Sequence, residues 1–451
     1  MIKKLKKILG LTKKKNKVEH IEEIVAELNE ENPILKYAYN VNQKFEPGKT
    51  PIYYSGPYWN TREVVAAMEA FLYGKWLATG ANVHRFETMF SRIFNFQKST
   101  MVNSGSSANL VLIAALKKYF GWNDGDEVLI SVVGFPTTLA PLVQNNLTPI
   151  FVDIELDTLN FDVDLIEDLV TEKTKAIFIS PVLGNSPDFD KLNEIAKKHN
   201  IQLIMDNCDS LGSKWDGKYL TDYSIASSCS FYPAHHITTG EGGMVSSANP
   251  KIIELARSFA WWGRDCYCVG SANLLGCGTC GKRFSPWLED YDGIVDHKYV
   301  FTNVGYNLKP LDMQGAIGLV QLDKFDEIHE RRIISKNRIT EIFQKNIPSL
   351  RVPIELEKAE TSWFGTPFIC ESAEQKRIIV KELEDNKIQT RNYFAGNILL
   401  HPGYKHLGDY KDYPKANIVL DRVFFVGASP HYTEEVFDYI DTDINKISKK
   451  L

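Results

Sequence analysis

From Thr61 to about Phe231 the chain alternates short apolar runs with stretches of helical period, the pattern of buried, mainly parallel strands joined by covering helices. Val64, Val65, Met68, Phe71 and Leu72 fall on one helix face, and Asn109 to Leu116 lies in a second helix. Glu127–Val132, Pro149–Ile154, Ala176–Ser180, Gln202–Met205 and Ile225–Phe231 read as strands, with a helix over Phe189–His199. Residues 263 to 310 break the alternation with Gly, Cys, Trp and Tyr, and an irregular stretch of that length usually carries function. A helical stretch follows from about Leu311 to Phe343, then strand and helix pieces such as Ser362–Cys370 and Glu374–Asn386. The expected fold class is α/β: a large, mainly parallel-sheet domain plus a smaller C-terminal α/β domain. Its expected parts are a basic tail and helix (1–45), a large domain (46–310) with a cysteine-rich loop (263–285), and a small domain (311–451).

Charge narrows the partners. The net charge is -5, yet residues 1 to 17 hold eight lysines and no acid, so the remainder carries -5 - 8 = -13. An acidic body makes nucleic acid a poor default partner, and the lysine-rich head reads as a solvated tail. No run of about 18 apolar residues is present, so no membrane span is expected, and the head lacks the pattern of an export signal. A cytoplasmic location is expected. Seven cysteines, an odd number, then argue for reduced thiols, and Cys266, Cys268, Cys277 and Cys280 fall within fifteen residues.

Three stretches carry chemistry. Asn103 to Ala108 precedes an apolar helix, so its N–H groups and hydroxyls suit either a phosphate or an ordinary serine cap. Asp206 ends a strand, where open α/β sheets place ligand groups, and an acid there can pair with a pyridine nitrogen or cap a helix. The run Ser230-Phe231-Tyr232-Pro233-Ala234-His235-His236, then Thr238 to Gly243, is the most informative. It resembles the lysine-bearing loop of the DegT/DnrJ/EryC1/StrS sugar aminotransferase family, which are fold-type-I pyridoxal phosphate enzymes. The family's lysine position is His235 here. An imidazole moves protons but forms no stable imine, so the substitution disfavours ordinary transamination.

The resemblance runs from about Thr61 to the C-terminus through Gly74 to Gly80, Phe86-Glu87, Phe135-Pro136-Thr137-Thr138, Asp206 and Gly305 to Leu308. It implies that Gly105, Ser106 and Ser230 hold the cofactor phosphate, that Phe135 stacks on the ring, and that Asp206 pairs with the ring nitrogen. It also implies that Asp209 lies near the ring hydroxyl and that Asn307 reaches a neighbouring subunit's phosphate, hence a homodimer with shared sites. Tyr232 to Gly243, Gly263 to Cys268, Cys280 to Phe284 and Phe394 to Asn397 most resemble the CDP-4-keto-6-deoxyglucose 3-dehydratase branch, associated with lipopolysaccharide biosynthesis. That branch implies pyridoxamine 5′-phosphate, a [2Fe–2S] cluster on Cys208, Cys266, Cys268 and Cys280, and removal of the C3 hydroxyl from a CDP-4-keto-6-deoxyhexose. Its partners would be the nucleotide-sugar substrate and a flavin and iron–sulfur reductase.

Spacing alone suits a structural zinc site equally well, and Cys208, two residues after Asp206, favours the cluster. Two features depart from the branch: a longer loop that lets Cys277 compete with Cys280, and Met205 in place of a glutamate. The rivals are a cluster-free dehydratase of a GDP-linked sugar and a zinc-stapled, non-catalytic scaffold.

Overall fold

A computed structural model describes residues 19, 21–23, 45–74, 76–266, 268 and 281–451; the lysine-rich head, Cys277 and Cys280 lie outside the described residues. Seven strands form the central sheet: β1 (Lys98–Val102), β2 (Glu127–Ser131), β3 (Thr148–Val152), β4 (Thr174–Ile179), β5 (Gln202–Asp206), β6 (Ala226–Ser230) and β7 (Gly243–Ser247). Their order is β1-β7-β6-β5-β4-β2-β3. Strands β2 to β6 run parallel, whereas β7 is antiparallel to both its neighbours, β1 and β6. Strands β2 to β5 are mainly apolar because helices cover both faces, whereas β6 buries Ser227, Ser228 and Ser230.

Helices α1 (Thr61–Tyr73), α2 (Ala81–Ile93), α3 (Gly105–Phe120), α4 (Pro136–Gln144), α5 (Phe189–His199) and α6 (Pro250–Ala260) belong to this body. Local chemistry fixes their ends. Asn60 and Glu63 make a capping box at α1, and Ser104 caps α3 by accepting from the Ser107 N–H. At the far end of α3, Gly121 adopts φ +66°, a left-handed stop.

The long C-terminal helical stretch is two helices, α7 (Asp312–Asp323) and α8 (Phe325–Asn346), parted at Lys324 with φ -102° and ψ 3°. No proline or glycine causes the break. Lys324 is buried and its Nζ pairs with Glu63, a buried carboxylate that also accepts from Gln321 Nε2 at 2.8 Å. A charge pair inside the fold thus turns the chain, and α7 packs across α1 and α2. That approach is close: a Cβ on Gly315 would stand 2.4 Å from the Val83 nitrogen.

A second sheet, β8 (Gly365–Ile369), β9 (Thr390–Asn392) and β10 (Val423–Gly427), is antiparallel with β10 central. Helices α8, α9 (Ala373–Asp385) and α11 (Glu434–Ser448) cover it through Phe343, Phe368, Ile379, Phe424 and Ile440, with α10 (Pro414–Arg422) leading into β10. Ile52 joins this core and bridges Ile388 in parallel, so the segment before α1 lies against the C-terminal sheet. Among the described residues no helix is long and apolar enough to cross a membrane.

Candidate active site

The carboxyl ends of β5 and β6 open on a cavity of about 740 Å³, closed on the other side by Phe364, Arg391, Phe394 and Phe425 from the C-terminal part. Open α/β sheets bind ligands at this end. Asp206 forms the floor. Its Oδ2 accepts from Asn109 Nδ2 and Thr138 Oγ1, both at 2.7 Å, and its Oδ1 accepts from the Cys208 N–H at 3.2 Å. Ser228 Oγ donates to Asn109 Oδ1 at 2.5 Å and so fixes the amide that holds the acid. A carboxylate has about four acceptor directions, and the lightly used Oδ1 keeps capacity for a further donor.

Ser104, Gly105 and Ser106, at the start of α3, and Ser230, at the end of β6, form one rim of the cavity. The two segments touch closely. A Cβ at Gly105 would stand 2.4 Å from the Ser230 Cβ, so only glycine lets the helix N-terminus and that hydroxyl converge. N–H groups, hydroxyls and a helix dipole converging here fit a phosphate, and Asp206 across the floor fits a protonated ring nitrogen. Phe135 borders the same space, half exposed, with its ring 5.9 Å from that of Phe394. The chain's own residues therefore fit a pyridine phosphate.

His235 lines the cavity and His236 does not. The Nε2 of His236 donates to the Ser362 carbonyl at 2.9 Å, in the core behind the turn. His235 Nδ1 is buried without a hydrogen-bond partner, 3.6 Å from Asp209 Oδ1. Burial pushes the His235 imidazole down to about 4, against the pull of Asp206, so the ring is neutral at pH 7. Burial also pushes the Asp209 carboxyl up to about 8, helped by Asp206. Asp209 accepts from the Leu183 N–H at 3.3 Å, and Leu183 holds φ +56°, a strained value for leucine.

Behind the turn sits Arg332 of α8, fully buried. It donates to the carbonyls of Ala234 at 3.1 Å, His235 at 2.9 Å and Phe364 at 3.2 Å. No carboxylate pairs with it among the described residues, and burial lowers its pKa to about 10. Nothing in the sequence marks this residue, since an arginine in a charged helix reads as a surface group.

The other expected site residues divide. Cys208 lines the cavity, whereas Asn307 lies outside it, exposed, its side-chain oxygen accepting from Lys309 Nζ. Cys266 and the buried Cys268 are neighbours whose side chains interact. Among the described residues no group of three or more His, Cys, Asp or Glu is placed to hold a metal, and Cys280 is outside them. Tyr54, Asn109, Arg332, Phe364 and Arg391 belong to the site without having been expected there.

The sheet order, the strand-end acid and the cradle define a fold-type-I pyridoxal phosphate-dependent transferase fold. The chain belongs to the DegT/DnrJ/EryC1/StrS aminotransferase family, whose profile matches residues 60–445. It is 39% identical over 415 residues, 90% of this chain and 88% of the relative, to dTDP-4-dehydro-2,6-dideoxy-D-glucose 3-dehydratase of Saccharopolyspora spinosa. It is 38% identical over 407 residues, 88% of this chain and 91% of the relative, to lipopolysaccharide biosynthesis protein RfbH of Salmonella typhimurium. Among solved structures it is similar to E. coli GDP-4-keto-6-deoxy-D-mannose-3-dehydratase with bound hydrated PLP, at TM-score 0.74 and 29% identity over 87% of this chain and 99% of that one.

Proposed function

We propose that this chain is a cytoplasmic, pyridoxamine phosphate-dependent dehydratase that removes the C3 hydroxyl from a CDP-4-keto-6-deoxyhexose on the way to a 3,6-dideoxy sugar. The observation that carries the reading is His235: its imidazole lines the cavity that Asp206 floors, and no lysine lines that cavity among the described residues. When bound, pyridoxamine phosphate supplies an amine that condenses with the sugar ketone and a ring that withdraws electrons. Asp206 holds the ring nitrogen's proton, and Ser104 to Ser106 with Ser230 bind the phosphate. His235, neutral and with an unpartnered Nδ1, would be the base that moves a proton from the cofactor's C4′ carbon to the departing C3 oxygen, which would leave as water. Asp209, whose carboxyl burial pushes up to about 8, would lie near the ring hydroxyl. Phe135, Phe364 and Phe394 keep bulk water from these exchanges.

The proposal includes a [2Fe–2S] cluster on Cys208, Cys266, Cys268 and Cys280, with a flavin and iron–sulfur reductase as partner. Support comes from the four-cysteine pattern and from Cys208, which borders the cavity. It also includes a homodimer in which Asn307 reaches the phosphate held by the partner subunit. Phe71, Leu72, Trp76, Leu77 and Leu311 are exposed, and Val304 is 95% exposed, an apolar surface that a second subunit would cover.

The test needs no reductase. Protein loaded with pyridoxamine phosphate is incubated with CDP-, dTDP- and GDP-linked 4-keto-6-deoxy sugars in heavy-oxygen water, and label at C3 is read by mass spectrometry. Label in the CDP sugar supports the reading, and no label in any of the three defeats it. The likeness to the E. coli structure favours a second reading, a cluster-free dehydratase of a GDP-linked sugar. Iron and sulfide analysis of anaerobically purified protein separates the two.

A further inference from the structure

The cavity has two ends of unlike chemistry. Toward β5 it carries the acids Asp206 and Asp209, with Glu241 also on the lining. Asp206 and Glu241 repel a dianion, so a nucleoside diphosphate needs a compensating cation somewhere on the wall. Among the described residues Arg391 is the one lysine or arginine that lines the cavity. It stands on β9 of the C-terminal sheet, whereas the cradle of Ser104 to Ser106 and Ser230 is built on the central sheet.

The side chain is exposed but held. Its guanidinium lies over the Tyr54 ring at 4.2 Å from the centroid, and its Nη1 donates to the Thr390 carbonyl at 2.6 Å. No carboxylate pairs with it among the described residues. A guanidinium has five N–H donors in a planar fork that matches phosphate oxygens two at a time. Stacking on an aromatic face fixes the plane before a ligand arrives and lowers the entropy lost on binding.

We propose that Arg391, backed by Tyr54, is the diphosphate-recognising residue of this cavity, gripping the two phosphates that link base to sugar. The inference rests on the nucleotide-sugar reading above and adds the group that distinguishes such a substrate from a free sugar. It follows that recognition at Arg391 is blind to the base.

Calorimetric titration of the pyridoxamine phosphate-loaded protein with CDP, dTDP and GDP tests it. Arg391→Gln is expected to weaken every nucleotide that the wild type binds by about ten- to a hundredfold, the size of a charge-assisted contact. Arg391→Lys, which keeps the charge but not the fork, is expected to fall between. Uptake of pyridoxamine phosphate and the melting temperature should stay as in the wild type. Unchanged nucleotide affinity in Arg391→Gln overturns the assignment. Lost cofactor uptake overturns it too, by placing the residue at the cofactor phosphate, and so does a loss confined to one of several bound bases. A wild type that takes up the cofactor but binds none of the three nucleotides overturns the substrate reading itself, and this inference with it.

Discussion

Two buried arginines hold different parts of this molecule in opposite ways. Arg257 of α6 meets Glu87 of α2 with Nη2 at 3.1 and 3.0 Å from the two carboxylate oxygens, and Glu87 also accepts from the Met101 N–H of β1 at 2.8 Å. Charge is neutralised where it is buried, and three elements are tied at one edge of the central sheet. Arg332 meets only carbonyls, those of Ala234, His235 and Phe364. Its charge stays uncancelled beside the cavity and counts among the influences that hold His235 neutral. The same side chain serves as a rivet in one place and as a clamp with a field in the other.

Four measurements would break or sharpen that contrast. His235→Asn is expected to lower C3 label exchange about a hundred- to ten-thousandfold, the range for a lost general base, and so bounds what loosening its clamp can do. Full exchange in that variant would remove His235 from its proposed role. Glu87→Gln should cost about 3–5 kcal/mol of stability in chemical denaturation, by stranding Arg257, while exchange per folded molecule stays unchanged. A fall in exchange would show that the rivet reaches the site.

Arg332→Lys is expected to cost about 2 kcal/mol of stability, because an ammonium cannot span three carbonyls in fixed directions. It should also lower kcat about tenfold with KM unmoved; a variant that loses stability alone would make Arg332 a second rivet. The smallest effect concerns acid. Burial raises the Glu87 carboxyl, but Arg257, His84 and the Met101 N–H outweigh it and hold the group below its usual range. Its contribution is therefore present above the unfolded carboxylate pKa of about 4.3 and is lost as pH falls through the lower folded value. The stability curve of Glu87→Gln should be flatter than that of the wild type in this acid range, and parallel curves would count against the pair's role.

Much of the fold was legible, for reasons that also explain the gaps. The helix over Phe189–His199 appears with the expected ends because Asp188 caps it and Asn200 stops it in a left-handed turn. The central strands β2 to β5 are short, mainly apolar runs between helical periods, as expected, and β6 was expected from the longer run Ile225–Phe231, which is apolar at its two ends. Strands β1 and β7 were missed because each carries only two adjacent apolar residues, Met101-Val102 and Met244-Val245. Their serines are buried all the same, and Ser99 and Ser246 bond to each other across the pair at 2.7 Å. The break at Lys324 depends on Glu63, far away in sequence, and no local signal announces it. Phe71 and Leu72 obey the helical period but face outward, which suits a subunit contact better than a core.

The site divides along the same line. Asp206, Cys208, His235 and the serine cradle stand at strand ends and helix starts, where position along the chain already implies chemistry, and all of them line the cavity. Tyr54, Arg332 and Arg391 were invisible because their partners come from remote segments. Arg332 illustrates the limit: its neighbours Arg331 and Glu330 are surface groups of the same helix, and only tertiary packing tells it from them.

The bridge between Ile52 and Ile388 bears on how this protein comes off the ribosome. Tyr54 donates to the side chain of Gln389 across 335 residues of sequence. A nascent chain therefore emits the strap of its C-terminal lobe first and must leave it unmated until nearly all translation is done. Closing so wide a loop is slow, and the waiting apolar segment is open to wrong partners meanwhile. Recombinant yield should consequently respond to elongation speed and chaperone supply more than the stability of the finished protein would suggest.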